Sequence, residues 1–189
     1  MKRVFIAIDI PPEARTKVAE YMDKLKEAGR ALRVGWERPE KLHLTLKFLG
    51  DVDDNQLSHI NDAVKKVSAE FAAFRSGIYG NGRFPPKGDP RVLWLGLTDD
   101  ETFLKLAHSL DREIAKIGFE PEKRAFHAHL TIARLREPHR STALAATHVS
   151  NGFQLVEFDV KEIVIYESRL QPGGSAYSKL AAFPLCSKD

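Results

Sequence analysis

One short pattern occurs twice in this chain and constrains its fold more than any other feature. HLTLKFL, at residues 43–49, is matched by HLTIARL, at residues 129–135, so the two histidines lie 129 − 43 = 86 residues apart. Each copy lies close in sequence to one of the two most regular amphipathic segments, near residues 53–74 and 99–117. We therefore interpret residues 1–189 as a single two-lobed domain that contains a diverged internal duplication.

The remaining apolar patterns predict both strands and helices. Helices are expected at residues 12–28, where Gly29 ends the segment, and after the N-cap residues Asp53 and Asp99. Strand-like runs occur near residues 3–10, 91–97, 125–135, 153–160, 162–168 and 177–184, and residues 34–48 hold two such runs separated by RPEK. The Gly- and Pro-rich segment 79–90 predicts a loop. Since strands and helices do not alternate regularly, we predict an α+β fold. Two pseudo-symmetric lobes, each an antiparallel sheet with helices outside, would enclose a central cleft.

Composition narrows the protein class. The net charge of +3 permits an anionic partner without requiring one, and no apolar run is long enough to predict a membrane span. The N-terminal segment MKRVFIAIDI lacks the features of a signal peptide, so a cytoplasmic location is expected. Cys186 is the single cysteine, which excludes an internal disulfide and a cysteine-based zinc site.

The repeated segments carry polar side chains on one strand face. Alternation places His43 and Thr45 on one face and the neighbouring leucines on the other, and His129 and Thr131 follow the same pattern. A lone strand histidine is usually a packing residue, but two in the same context predict a shared site. Two imidazoles with an ordinary pKa of about 6.5 can act as general acid and general base. Threonine hydroxyls can donate hydrogen bonds to phosphate oxygens.

Other chemistries fit the sequence less well. His127 and His129 share a strand face, but no third metal ligand recurs beside either motif, so no metal site is predicted. Neither a nucleophile elbow nor a phosphate-binding glycine loop occurs, and no cofactor is predicted.

The paired motifs, with the flanking segments RVFIAIDIP, GRFP and YESRLQPGGSAYSKLAAFPL, resemble a known enzyme family. They are similar to the two-histidine phosphoesterase superfamily, and within it to the LigT-like RNA 2′,3′-cyclic phosphodiesterases, also called 2′-5′ RNA ligases. One departure is Ala128, where the family usually has proline.

This resemblance implies metal-independent hydrolysis of an RNA terminal 2′,3′-cyclic phosphate to a 2′-phosphomonoester. His43 is then the proton donor, His129 the proton acceptor, and Thr45 and Thr131 hold the non-bridging oxygens. The symmetry of the sequence does not by itself order the two histidines. The expected partner is RNA with a cyclic phosphate end, tRNA fragments included, and the expected state is a monomer.

Four further residues are candidates for substrate binding. The family pattern implies Arg134, although strict alternation puts it on the opposite face unless a bulge intervenes. Phe48 and Phe126 can stack a terminal base, with core packing as the alternative role. Lys47 shares the alternation of His43 and is expected to extend a positive cleft.

Alternative functions remain open at this stage. The same site can act on 2′-5′ linked RNA through reversible ligation, or on a small cyclic-phosphate nucleotide. A non-enzymatic RNA-binding module is disfavoured because both His and Thr pairs are intact.

Overall fold

The computed structural model describes residues 1–172 and 174–187. Within them the strands are β1 (Lys2–Asp9), β2 (Val34–Trp36), β3 (His43–Val52), β4 (Phe74–Phe84), β5 (Val92–Leu97), β6 (His129–Leu135), β7 (Val156–Val160), β8 (Glu162–Gln171) and β9 (Gly174–Pro184). The helices are α1 (Pro12–Ala28), α2 (Asp54–Glu70), α3 (Asp100–Ala115) and α4 (Thr142–Asn151), with 3₁₀ turns at Pro39–Lys41 and His139–Ser141.

The strands form two antiparallel sheets. The first has the order β3-β1-β8-β9 and the second the order β2-β6-β5-β4-β7. The two motif strands lie in different sheets: β3 pairs with β1 in the first sheet, and β6 pairs with β5 in the second. The predicted α+β class is therefore confirmed.

The helices cover the outer faces of the sheets. Helices α2 and α3 pack together, with α2 against β8 and β9 and α3 against β3, while α1 packs on β7 and α4 packs on β4. Their apolar stripes explain this placement: Ile60, Val64 and Val67 of α2 are fully buried at helical spacing. Helix α1 follows a strand of the first sheet but packs on the second, and α3 does the reverse. The two lobes thus exchange helices.

Two boundary predictions were wrong. The helix after Asp53 ends at Glu70, and Phe74 begins β4 instead of extending the helical stripe. The expected loop at residues 79–90 is also shorter, because β4 continues to Phe84. One glycine of this segment has a packing cause: a side chain at Gly82 would overlap the indole of Trp94 on the paired strand.

None of the helices in the described part of the chain has the length and apolar character needed to span a bilayer.

Candidate active site

The two motif strands approach each other where the sheets meet, beside a cleft of about 520 Å³. Strand β3 belongs to the first sheet and β6 to the second, so each lobe supplies one motif. All the candidate residues from the sequence line this cleft: His43, Thr45, Lys47, Phe48, Phe126, His129, Thr131 and Arg134. The fold therefore brings together segments that are 86 residues apart in the sequence.

Backbone carbonyl groups orient the two imidazoles in the same way. His43 Nδ1 lies 2.6 Å from the carbonyl oxygen of Lys41, and His129 Nδ1 lies 2.7 Å from that of His127. A carbonyl oxygen can only accept, so Nδ1 carries the proton in each neutral ring and Nε2 carries the lone pair. In both motifs the acceptor belongs to the residue two positions before the histidine, so the two motifs orient their imidazoles identically.

The hydrogen bonds of the two threonines differ. Thr45 Oγ1 lies 3.0 Å from His43 Nε2, and its hydroxyl must donate when that ring is neutral. For Thr131, the described residues offer no equivalent bond to His129. Both threonines are half-buried at the cleft.

The electrostatic surroundings of the histidines also differ. Burial lowers the pKa of His43 and of His129, and the carbonyl bond at Nδ1 opposes this in each case. The Asp9 carboxylate raises the pKa of His43, against smaller lowering effects of Arg15 and Arg134. The charges that act on His129, those of His127 and Arg134, both lower its pKa. The nearby carboxylate thus favours the protonated form at His43 alone.

A β-bulge in each motif strand changes which side chains reach the cleft. Opposite β1, Thr45 pairs with Ala7 and Lys47 with Ile6, which leaves Leu46 as an extra residue. Opposite β5, the same shift leaves Ile132 extra, between Thr131 and Ala133. After each bulge, the side chains at every second position therefore point to the opposite face from the one that strict alternation predicts.

The reversal carries the fifth residue after each histidine to the cleft. That residue is Phe48 in the first motif and Arg134 in the second, and both are exposed there. Strict alternation allowed Arg134 into the cleft only if a bulge intervened, and the bulge at Ile132 is that bulge. The guanidinium Nε of Arg134 is 3.8 Å from a Glu37 carboxylate oxygen, and 53% of its side chain stays accessible.

The bulge at Leu46 also affects Lys47, which strict alternation would leave exposed at the cleft. Lys47 is only 8% exposed, and its ammonium group pairs with the Asp111 carboxylate and donates to the carbonyl oxygen of Glu120. Its charge is thus compensated beside α3, so it lines the cleft wall without extending a positive surface.

The aromatic candidates differ in exposure. Phe48 is 66% exposed and rests against Phe5, with ring centroids 5.7 Å apart, so its ring is available to a substrate. Phe126 is partly buried against the hydrophobic core.

Two aromatic residues beside the histidines were missed in the sequence. Tyr177 of β9 meets His43 edge-on at 5.4 Å, and Phe84 of β4 meets His129 edge-on at 5.1 Å. Neither belongs to the repeated pattern, and both reach the site through strand pairing. Both rings therefore pack edge-on against the imidazoles at the cleft.

Among the described residues, no three His, Cys, Asp or Glu side chains cluster in a way that could hold a metal ion. His127 and His129 do lie close, with stacked rings 5.8 Å apart. Chemically, the cleft therefore offers two oriented imidazoles, two hydroxyls and a guanidinium. This set suits proton transfer at a phosphate group.

Comparison with known proteins identifies similar sequences and folds. The family model described as LigT like Phosphoesterase matches residues 8–94 and 95–177, and each matched segment contains one motif. The chain is 37% identical to a protein of Methanothermobacter thermautotrophicus over 97% of this chain and 98% of that protein. It is 34% identical to a protein of Archaeoglobus fulgidus over 96% and 99% of the two chains. Both relatives are named RNA 2′,3′-cyclic phosphodiesterase.

Solved structures share the fold. TT0787 of Thermus thermophilus superposes with a TM-score of 0.80 and 27% identity, covering 99% of this chain and 100% of the other. Escherichia coli LigT complexed with 3′-AMP gives a TM-score of 0.76 and 26% identity, covering 97% and 98%.

Proposed function

The chain belongs to the LigT-like phosphoesterase family, and on that premise we propose that it hydrolyses the terminal 2′,3′-cyclic phosphate of RNA to a 2′-phosphomonoester. The observation that carries this proposal is the pair of imidazoles in one cleft, each with Nδ1 bound to a carbonyl group and Nε2 left for chemistry. Relatives of nearly the same length are named for this activity.

In the proposed mechanism, His129 is the base and His43 the acid. Nε2 of His129 takes a proton from water as the water oxygen attacks phosphorus. The bond from phosphorus to the 3′ oxygen breaks, and Nε2–H of His43 protonates that oxygen. The Asp9 carboxylate supports this order, because it favours the protonated form of His43.

Thr45 links the acid to the phosphate. With His43 neutral, the Thr45 hydroxyl donates to Nε2 across 3.0 Å. With His43 protonated, Nε2 can no longer accept a hydrogen bond, so the hydroxyl proton is free for a non-bridging phosphate oxygen and Nε2–H is free for the departing 3′ oxygen. The form of His43 that can act as acid is therefore also the form that releases Thr45 to bind substrate. Thr131 and Arg134 would stabilise the other oxygens as negative charge builds.

Independence from metal is part of the proposal, since the residues described supply both proton transfers. The cytoplasmic location, the monomeric state and tRNA fragments as substrates stay predictions from the sequence. Reversible ligation of 2′-5′ linked RNA requires the same groups in the opposite direction, and no observation favours it over hydrolysis.

The test uses RNA oligonucleotides that end in 2′,3′-cyclic phosphate. Wild type, His43→Ala and His129→Ala are assayed with a chelator present, and His59→Ala, an exposed helical histidine, is the matched control. Each cleft variant should lose about 10² to 10⁴ in kcat while the control keeps its rate.

The identity of the product completes the test. A 2′-phosphate product would mean that the 3′ oxygen leaves, as proposed. A 3′-phosphate product would mean that the 2′ oxygen leaves instead. Retained activity in both cleft variants would remove the acid–base mechanism. Loss of wild-type activity with chelator would show that a metal is required.

A further inference from the structure

A second groove of about 430 Å³ continues the catalytic cleft. Lys41, Phe48, Arg134 and Tyr177 line both cavities, so the two spaces adjoin. The groove lies between β2 and the end of β6 in one sheet and β1, β8 and β9 in the other. It therefore leads away from the histidines along the junction of the lobes.

The groove carries positive charge that no mechanistic step uses. Arg3, Arg38 and Arg136 line it, and all three are exposed. Within the described part of the chain, none of these guanidinium groups has a carboxylate within 4.0 Å. Glu37 is the one acidic residue among the described residues of the lining, and it lies beside Arg134. Three cations are thus available to an anion.

An aromatic ring lies in the same groove. Trp36 ends the edge strand β2, is half-buried and lines the groove. Leu170 of β8, 78% exposed, adds apolar surface. Arginines beside an accessible ring are the elements with which proteins hold single-stranded nucleic acid: cations bind phosphates and bases stack on aromatics.

The chemistry of the substrate indicates what occupies this groove. When the cyclic phosphate of an RNA end lies at the histidines, the 5′ side of that nucleotide must leave the cleft with a phosphodiester and another base. The groove is continuous with the cleft and offers a partner for each group. A free anion, in contrast, would use the arginines and leave Trp36 without a role.

We propose that the groove binds the nucleotide on the 5′ side of the reacting end, with its phosphodiester at Arg38 and Arg136 and its base against Trp36. This inference rests on the proposed function and refines it: the preferred substrate is an RNA strand of at least two nucleotides. A nucleoside 2′,3′-cyclic phosphate would fill only the cleft and would leave the groove empty.

The experiment compares kcat/KM for three substrates: a nucleoside 2′,3′-cyclic phosphate, the same molecule with a 5′-phosphate, and a dinucleotide ending in cyclic phosphate. In wild type, the 5′-phosphate should raise kcat/KM about tenfold over the nucleoside substrate, since hydrogen bonds to charged groups are strong. The second base should add about tenfold more by stacking. Raising the salt concentration should erase mainly the first gain.

Groove variants separate the two contributions. Arg38→Ala and Arg136→Ala should lose the gain from phosphate, and Trp36→Leu should lose the gain from the base, while turnover of the nucleoside substrate is unchanged. Trp36→Tyr keeps a ring and should keep most of the second gain, which controls for folding. Arg30→Ala, an exposed arginine outside both cavities, should behave as wild type.

Other outcomes would overturn the inference. Equal kcat/KM for nucleoside and dinucleotide in wild type removes the groove from substrate binding while leaving the proposed function intact. If Trp36→Leu keeps the gain from the second base, the base does not stack on Trp36, and the groove is an anion site and not a nucleotide site. If wild type hydrolyses none of the substrates, fluorescence anisotropy with a labelled RNA hexanucleotide decides: affinity unchanged in Arg38→Ala/Arg136→Ala refutes the groove, and a loss supports it independently of catalysis.

Discussion

Replacing Thr45 by valine tests the most specific feature of the site, the hydroxyl 3.0 Å from His43 Nε2. Valine keeps the β-branched shape and the strand preference of threonine but removes the hydrogen-bonding group. Thr45 is half-buried in β3, so the fold should persist.

The magnitude follows from the two roles of the hydroxyl. Its bond to the neutral imidazole contributes only about 0.5–1.5 kcal/mol, which is a modest effect on the free protein. A donor to an oxygen that gains charge in the transition state contributes about 2.7–4 kcal/mol. We therefore expect Thr45→Val to lower kcat by about 10² to 10³ with little change in thermal stability.

The assay is hydrolysis of a dinucleotide 2′,3′-cyclic phosphate under saturating conditions, with Thr45→Ser and Thr131→Val in parallel. Thr45→Ser retains the hydroxyl and should recover most of the rate. Thr131→Val should lose rate to a similar degree, but only Thr45→Val should change the pH profile, because of the two threonines, both in the described part of the chain, Thr45 alone hydrogen-bonds to its histidine. A Thr45→Val rate within about threefold of wild type, or a serine variant no better than valine, would refute the role of this hydroxyl.

Three further predictions follow from charges around the site and the core. Asp9→Asn removes the carboxylate that raises the pKa of His43, so the alkaline limb of the profile of kcat/KM against pH should move to lower pH. If the acid limb moved instead, His43 would be the proton acceptor and His129 the proton donor. Burial lowers the pKa of His148, whereas the unfolded chain takes up a proton near the ordinary value of about 6.5. The free energy of unfolding in urea should therefore fall as the pH drops below that value, and His148→Gln should reduce the slope; an unchanged slope contradicts this. Lys47→Met leaves Asp111 without its ion-pair partner and should destabilise the protein by about 1–3 kcal/mol with kcat within about threefold of wild type. A hundredfold loss of kcat at unchanged stability would restore Lys47 as a substrate ligand.

The duplicated motif predicted the cleft because strand alternation is a local property. In HLTL and HLTI, apolar side chains require one face for the core, which leaves His and Thr together on the other. Helix positions were predictable for the same reason, since the buried residues of α2 and α3 recur at helical spacing. The error at β4 has a specific cause: Gly82 looks like a turn residue in sequence, but it is required by the indole of Trp94 across the ladder.

The two β-bulges could not be predicted from the sequence of either strand. Leu46 and Ile132 are ordinary strand residues, and they become extra residues only through the register that β3 and β6 adopt against β1 and β5. Lys47 was therefore expected to be exposed at the cleft, whereas its side chain is buried in the cleft wall and paired with Asp111, and the orientation of Arg134 was left undecided. Tyr177 and Arg3 of one sheet meet Trp36 of the other sheet and Arg136, which follows β6, in one groove only because the two sheets lie side by side.

The sequence by itself determined the repeated pair of catalytic candidates and the class of the fold, since both follow from residue types at fixed spacing along one strand or helix. The tertiary structure alone decided which side chains share the cleft, which histidine has a carboxylate beside it, and that an arginine-lined groove continues from the site. These properties depend on strand register and on contacts between segments far apart in the chain. Such contacts are set by the packing of whole sheets and leave no periodic signal in any one segment.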